Sequence, residues 1–132
     1  DEHGVMRGPA GNGRVGAVAR QDVARSAVAG LRDPSPHAER TYDMTGPEAL
    51  SLTDMARIIG EAQGREVTYR EETVEEAYAS RAHYGAPAWQ VDAWVSTYTA
   101  IASGSLDRVT DDVERLTGRR PLGLAELLAG ER

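Results

Sequence analysis

The chain has 132 residues and no cysteine. It therefore holds no disulfide, no thiol nucleophile and no thiolate metal site. Lysine is missing too, and all fifteen basic residues are arginine. That removes any chemistry in this chain that needs a lysine amine, Schiff bases and Tyr–Lys proton relays included. There is no phenylalanine, and much of the 40% apolar content is alanine, so the core must lean on Val, Leu, Ile, the two Trp and some of the five Tyr. No apolar run approaches the roughly 18 residues of a membrane span. The net charge is −6 with no clustered basic tract, which argues against nucleic acid, because phosphate neutralisation needs Arg or Lys gathered on one face. The opening residues are acidic, unlike a secretory leader, so the expected compartment is the cytoplasm.

What is present is dense punctuation followed by amphipathic segments. Residues 1–14 read as a loop, with Gly4, Gly8, Pro9, Gly11, Asn12 and Gly13 breaking the backbone. A domain seldom opens on so elaborate a loop, and the expectation is that the chain begins mid-fold. Arg14 to Ala19 reads as a short strand. A helix follows from about Gln21, with Ala24, Ala27, Val28 and Leu31 as its apolar stripe and Asp22 favouring its dipole. Asp33-Pro34-Ser35-Pro36 ends it. Thr41 to Thr45 alternates Tyr42 and Met44 with polar neighbours, a strand pattern.

Ser51 and Asp54 form a capping box for a second helix with Leu52, Met55, Ala56 and Ile59 buried and Gly64 as its stop. Val67 to Arg70 is a third short strand. Thr73 and Glu76 cap a third helix that runs to about Tyr84 and Gly85. Pro87 suits the first turn of a fourth helix, whose stripe of Val91, Trp94, Val95, Tyr98, Ile101 and Ala102 is the strongest in the chain. Thr110 is the expected cap of a fifth helix, and Leu124, Leu127 and Leu128 mark a sixth. Three short strands make a poor sheet alone, since a parallel sheet wants neighbours and both faces covered.

Gly11-Asn12-Gly13-Arg14-Val15-Gly16 matches G-x-G-x-x-G literally. A dinucleotide fingerprint follows a buried strand and opens a helix whose N-terminus holds the pyrophosphate. No apolar run precedes these glycines, and Gly16 falls in a strand-like segment, so a loop leading into a strand is the favoured reading. Gly11, Asn12 and Gly13 stay as the candidate cofactor contacts.

Three segments in order carry a resemblance: Gly8-Pro9-Ala10-Gly11-Asn12-Gly13-Arg14 leading to Val18–Ala24, then Thr41-Tyr42-Asp43-Met44-Thr45-Gly46-Pro47-Glu48-Ala49-Leu50-Ser51-Leu52, then Leu116-Thr117-Gly118-Arg119-Arg120-Pro121. Together they resemble the C-terminal half of the NmrA-like atypical short-chain dehydrogenase/reductases, a branch with NAD(P)H-dependent quinone and dye reductases and epimerase-like proteins. The resemblance implies an α/β fold: one helix-rich, substrate-side lobe over residues 1–132, with two or three short strands that would extend a Rossmann-type parallel sheet. It implies that NAD(P) binds mainly to an N-terminal Rossmann half not in this sequence, and that this chain alone binds no coenzyme and is inactive. No Tyr is followed by Lys at the fourth position, yet hydride transfer mainly needs the nicotinamide held against an acceptor. Two alternatives stay open: a non-enzymatic, nucleotide-sensing regulator, and a self-associating stand-alone module. Expected partners are the missing Rossmann half and a second copy of the chain.

Within that frame the stretch His3 to Arg14 would lie near cofactor and acceptor, with Met6 and Arg7 as substrate contacts; an ordinary surface loop is the competing reading. Tyr84, Pro87 and Trp89 mark a joint between helices and offer flat apolar surface to an aromatic acceptor, against plain helix packing. His83 is the best lone candidate for proton transfer, histidine being the side-chain type that works near neutral pH, but it has no carboxylate at helical spacing to orient it, and a partly exposed surface histidine is the competing reading. Glu71, Glu72, Glu75 and Glu76 read as a solvated helix start, as do Asp111 and Asp112. No catalytic residue and no metal set emerges.

Overall fold

A computed structural model describes residues 4–130; residues 1–3, His3 among them, lie outside the described part. The described residues are helix-rich α/β with four short strands in two separate ladders. The chain forms two compact units: residues up to Val15 together with Leu50–Asp107, and Gly16–Ala49 together with the residues from Arg108 onward.

The first unit starts with β1 (Val5–Gly8), which pairs in parallel with β4 (Thr68–Glu71) in the register Val5↔Thr68 to Gly8↔Glu71. The expected opening loop therefore contains a strand: Gly4 and Gly8 bound it instead of dissolving it. Strand β2 (Arg14–Val15) pairs antiparallel with β3 (Leu50–Ser51), and is much shorter than the expected Arg14–Ala19 strand. Helix α2 (Leu52–Gln63) begins at the Ser51–Asp54 capping box and stops at left-handed Gly64, as the pattern predicts; of its expected stripe Leu52 and Ala56 are buried, and Met55 and Ile59 are half-buried. Helix α3 (Val74–Arg81) starts at the Thr73–Glu76 box, tightens into a 3-10 turn at Ala82–Tyr84 and leads through Gly85 to α4 (Ala88–Ala102). Pro87 sits just before α4 as its N-cap.

The apolar centre of this unit is Ala10, Leu52 and Ile101, with Met6, Val15, Met55, Tyr69 and Tyr98 packed around it. Two glycines make that packing possible. A Cβ at Gly8 would collide with the Tyr98 ring, and one at Gly13 would collide with the Ile101 carbonyl.

The second unit holds α1 (Arg20–Arg32), α5 (Asp112–Thr117) and α6 (Leu124–Gly130). Here the pattern misleads. The residues that α1 buries are Asp22 and Ser26, while Ala24, Ala27, Val28 and Leu31 are exposed. Asp22 does more than favour the helix dipole: its carboxylate accepts from the Leu122 amide at 2.8 Å and from Arg25 at 3.1 Å. The Ser26 hydroxyl donates to the Asp22 carbonyl at 2.9 Å.

The expected strand at Thr41–Thr45 joins no ladder among the described residues. Its alternation survives, with Tyr42 and Met44 half-buried between exposed Thr41 and Asp43. Polar contacts hold it instead. The Asp43 amide donates to the Asp112 carboxylate at 2.9 Å, Arg108 pairs with Asp43 at 2.7 Å, and the Thr110 amide donates to the Thr45 hydroxyl at 2.9 Å. Thr110 is thus spent on this segment, and the residue at the N-cap of α5 is Asp111.

Candidate functional site

The most open aromatic surface in the first unit lies at the joint of α3 and α4. Gly85, left-handed at φ +60°, ends the 3-10 turn and leaves Tyr84 exposed. The His83 ring lies tilted against Tyr84, 3.9 Å between centroids and 38° between planes, and Tyr84 meets Trp94 edge-on at 5.8 Å. Trp89, in the first turn of α4, is 71% exposed, and Tyr84 is 65% exposed. Beside them the Tyr78 hydroxyl donates to the Asp92 carboxylate at 2.9 Å, tying α3 to α4. That bond, aided by burial and the Asp92 charge, holds the Tyr78 phenol above its ordinary value. Sequence reasoning found Tyr84 and Trp89 but assigned Trp94 only to the helix stripe; the i, i+5 offset from Trp89 gave no sign that Tyr84 would fold back on it.

His83 donates from Nδ1 to the Ser80 carbonyl at 2.9 Å, a contact that orients the ring. It is exposed, in line with a surface histidine.

Met6 and Arg7 sit on strand β1, so neither belongs to a surface loop. Met6 is half-buried against the apolar centre. The Arg7 carbonyl accepts from Arg81 at 3.1 Å. Arg81 is itself buried, pairs with Glu72 at 3.1 Å, donates to the Ala77 carbonyl at 2.8 Å and lies over the Tyr98 ring at 5.2 Å. Glu72 is therefore not part of a solvated helix start: it is 6% exposed and belongs to a buried ion pair, while Glu71, Glu75 and Glu76 remain exposed. A charged pair reads from sequence as surface, and only the fold reveals that nine residues of separation bring these two together inside.

Gly11, Asn12 and Gly13 form the tight turn between β1 and β2, closed by the Gly13 amide donating to the Ala10 carbonyl at 3.0 Å. Tyr69 braces the turn: its hydroxyl donates to the Gly8 carbonyl at 2.6 Å and accepts from the Ala10 amide at 3.1 Å. Burial pushes the Tyr69 phenol up, partly offset by the Ala10 amide.

A pyrophosphate cradle needs open backbone amides at a helix N-terminus. Here a strand follows the turn, the next helix starts only at Arg20, and the space a Cβ would take at Gly13 is filled by the Ile101 carbonyl. Beside Gly11 stands the Glu71 carboxylate, 3.6 Å from where a Cβ would lie, a charge that repels phosphate. These residues do not fit a dinucleotide's phosphates. Among the described residues no group of His, Asp and Glu is arranged to hold a metal ion, and no helix is long and apolar enough to cross a membrane.

The chain is similar to parts of several proteins named as oxidoreductases. The chain is 38% identical over 119 residues to an uncharacterised oxidoreductase of Bacillus subtilis, covering 90% of this chain and 41% of that protein. It is 34% identical over 125 residues to the NAD(P)H azoreductase of Xenophilus azovorans, covering 95% and 43% respectively. The NADPH-dependent quinone oxidoreductase of Escherichia coli superposes with a TM-score of 0.89 at 26% identity, over 98% of this chain and 47% of that one. The triphenylmethane reductase of Citrobacter, solved with NADP(H), gives a TM-score of 0.86 at 26% identity over 98% of this chain and 45% of that one. No family model matches the chain. It spans about two fifths of the length of the curated relatives it matches. The chain resembles the C-terminal part of proteins named as an NAD(P)H azoreductase and a quinone oxidoreductase.

Proposed function

We propose that this chain is the substrate-side lobe of an NAD(P)H-dependent reductase acting on flat aromatic acceptors such as quinones or dyes, and that it walls the acceptor cleft without being catalytic alone. The observation that carries the reading is the exposed aromatic surface at the α3–α4 joint. Tyr84 and Trp89 are 65% and 71% exposed, at a position where ordinary helix packing would hide them. Exposed aromatic faces favour a further planar ring over an aliphatic ligand. The coenzyme, when bound, supplies the hydride. Its phosphates would be held outside these residues, since the Gly11–Gly13 turn is occupied by its own chain. Relatives named as an azoreductase and quinone oxidoreductases support the choice of acceptor class.

Both tryptophans of the chain, Trp89 and Trp94, stand in α4 at this surface, so intrinsic emission reports on it directly. Titrating the full chain with a naphthoquinone should quench that emission saturably, and Tyr84→Ala should weaken the apparent affinity about 5- to 10-fold, the scale of one lost stacking contact. Linear, unsaturable quenching that is identical in Tyr84→Ala would overturn the acceptor site.

A further inference from the structure

Fixed charge on the two helices of the aromatic joint is of one sign. From Thr73 to Leu106 the charged residues are Glu75, Glu76, Arg81 and Asp92. Arg81 faces inward: it is 8% exposed, pairs with Glu72 and donates to the Ala77 and Arg7 carbonyls. The three acids are exposed. A planar ligand laid against Tyr84 and Trp89 therefore meets carboxylates of α3 and α4, and no outward guanidinium of either helix. Asp92 is the acid tied most closely to the rings. It follows Trp89 on α4 at the i, i+3 spacing that makes side chains neighbours on a helix surface. The Tyr78 hydroxyl donates to its Oδ1 at 2.9 Å, which steadies the carboxylate without bringing a positive charge to cancel it. Among the described residues no ion pair includes Asp92.

We propose that Asp92 is a specificity-determining residue of this surface: together with Glu75 and Glu76 it turns away planar rings that carry a sulfonate or carboxylate, and admits uncharged ones. The inference rests on the acceptor reading of the surface and adds the charge of the ligand to it. Selection of this kind comes from a charge set against the wrong ligand, not from a better contact with the right one. A like charge at contact range on a wet surface is worth about 10-fold in affinity. The open faces of Tyr84 and Trp89 act in the same direction, because the π face of an aromatic ring is its negative side.

The experiment titrates the full chain with a naphthoquinone and with its ring-sulfonated derivative. Tryptophan emission is followed in low-salt buffer at about pH 8, where an ordinary imidazole is uncharged and surface charges are little screened. The sulfonate is expected to bind about 10-fold more weakly than the neutral quinone. Asp92→Asn keeps an oxygen for the Tyr78 hydroxyl and removes the charge. It should tighten the sulfonate about 5-fold and move the neutral quinone less than about 2-fold. Glu66→Gln removes an exposed acid outside α3 and α4 and should leave the gap as it stands, which separates a local charge from the net −6 of the chain. Equal affinity for the two quinones, or a gap that survives Asp92→Asn, would overturn the selection and leave the acceptor surface intact. Unsaturable quenching by both would remove the surface and the selection together.

Discussion

The two units of this chain solve the burial problem in opposite ways. In the first, the apolar stripes of α2 and α4 turn inward onto Ala10, Leu52 and Ile101, and the polar exception, Arg81 with Glu72, is fully paired. In the second, α1 turns its carboxylate and hydroxyl inward and its valines and leucine outward, and contacts among Asp22, Leu122, Asp43, Thr45, Arg108 and Thr110 do much of the joining. The contrast teaches that an amphipathic pattern says which side of a helix avoids water in the finished protein.

Substitutions can break that contrast. Arg81→Met strands Glu72 as a buried, unpaired charge, and the first unit should lose about 3–5 kcal/mol, read by denaturant unfolding. Adding Glu72→Leu should recover much of that loss, since an apolar pair replaces the ions. Ile101→Ala opens a cavity in the apolar centre and should cost about 2–4 kcal/mol in the same assay. In the second unit, Asp22→Ala removes a charge-assisted bond to the Leu122 amide; the expected loss is about 1.5–3 kcal/mol, followed by amide exchange at Leu122. Leu31→Asp, by contrast, should move the stability of the isolated chain by less than about 0.5 kcal/mol, because that side chain already meets solvent here. A large loss would mean that the outward stripe is buried after all.

Acid should touch both units alike and least. The bonds from the Ser51 hydroxyl and amide, with Arg14 and Arg57 nearby, hold the Asp54 carboxyl below its ordinary 3.8. The Gly123 amide and Arg120 do the same for Glu126, below its ordinary 4.5. A folded value depressed in this way contributes stability that is complete above the ordinary value and lost as pH falls through the folded one. Helical circular dichroism should therefore stay flat down to about pH 4.5 and decline only below it. In Asp54→Asn the decline should be shallower.

The sequence was most legible where the signal is local. Both capping boxes, the Gly64 stop and the stripe of α2 depend on residues within four positions of one another, and all are found. It was least legible where the determinant is distant or absent. Val5–Gly8 reads as loop because its strand character comes from β4, more than sixty residues on. Thr41–Thr45 reads as strand because alternation is local, but a ladder needs a neighbour. Glu72 reads as surface because its partner Arg81 is recognisable only once α3 has folded against β1. At the α3–α4 joint, composition pointed to Tyr84 and Trp89, while the edge-on meeting of Tyr84 with Trp94 required the 3-10 turn that no residue pattern announces.

The order in which the chain visits its two units has a consequence for its synthesis. The first is begun by residues up to Val15, abandoned, and resumed at Leu50; the second is begun at Gly16, set aside at Ala49, and resumed at Arg108. No single cut releases either one whole. On the ribosome, the nascent β1 must wait for Thr68–Glu71 before it has a mate, and α1 must wait for Leu122 before Asp22 is satisfied. Through most of translation both units stay incomplete, a window in which a chaperone has open surface to guard.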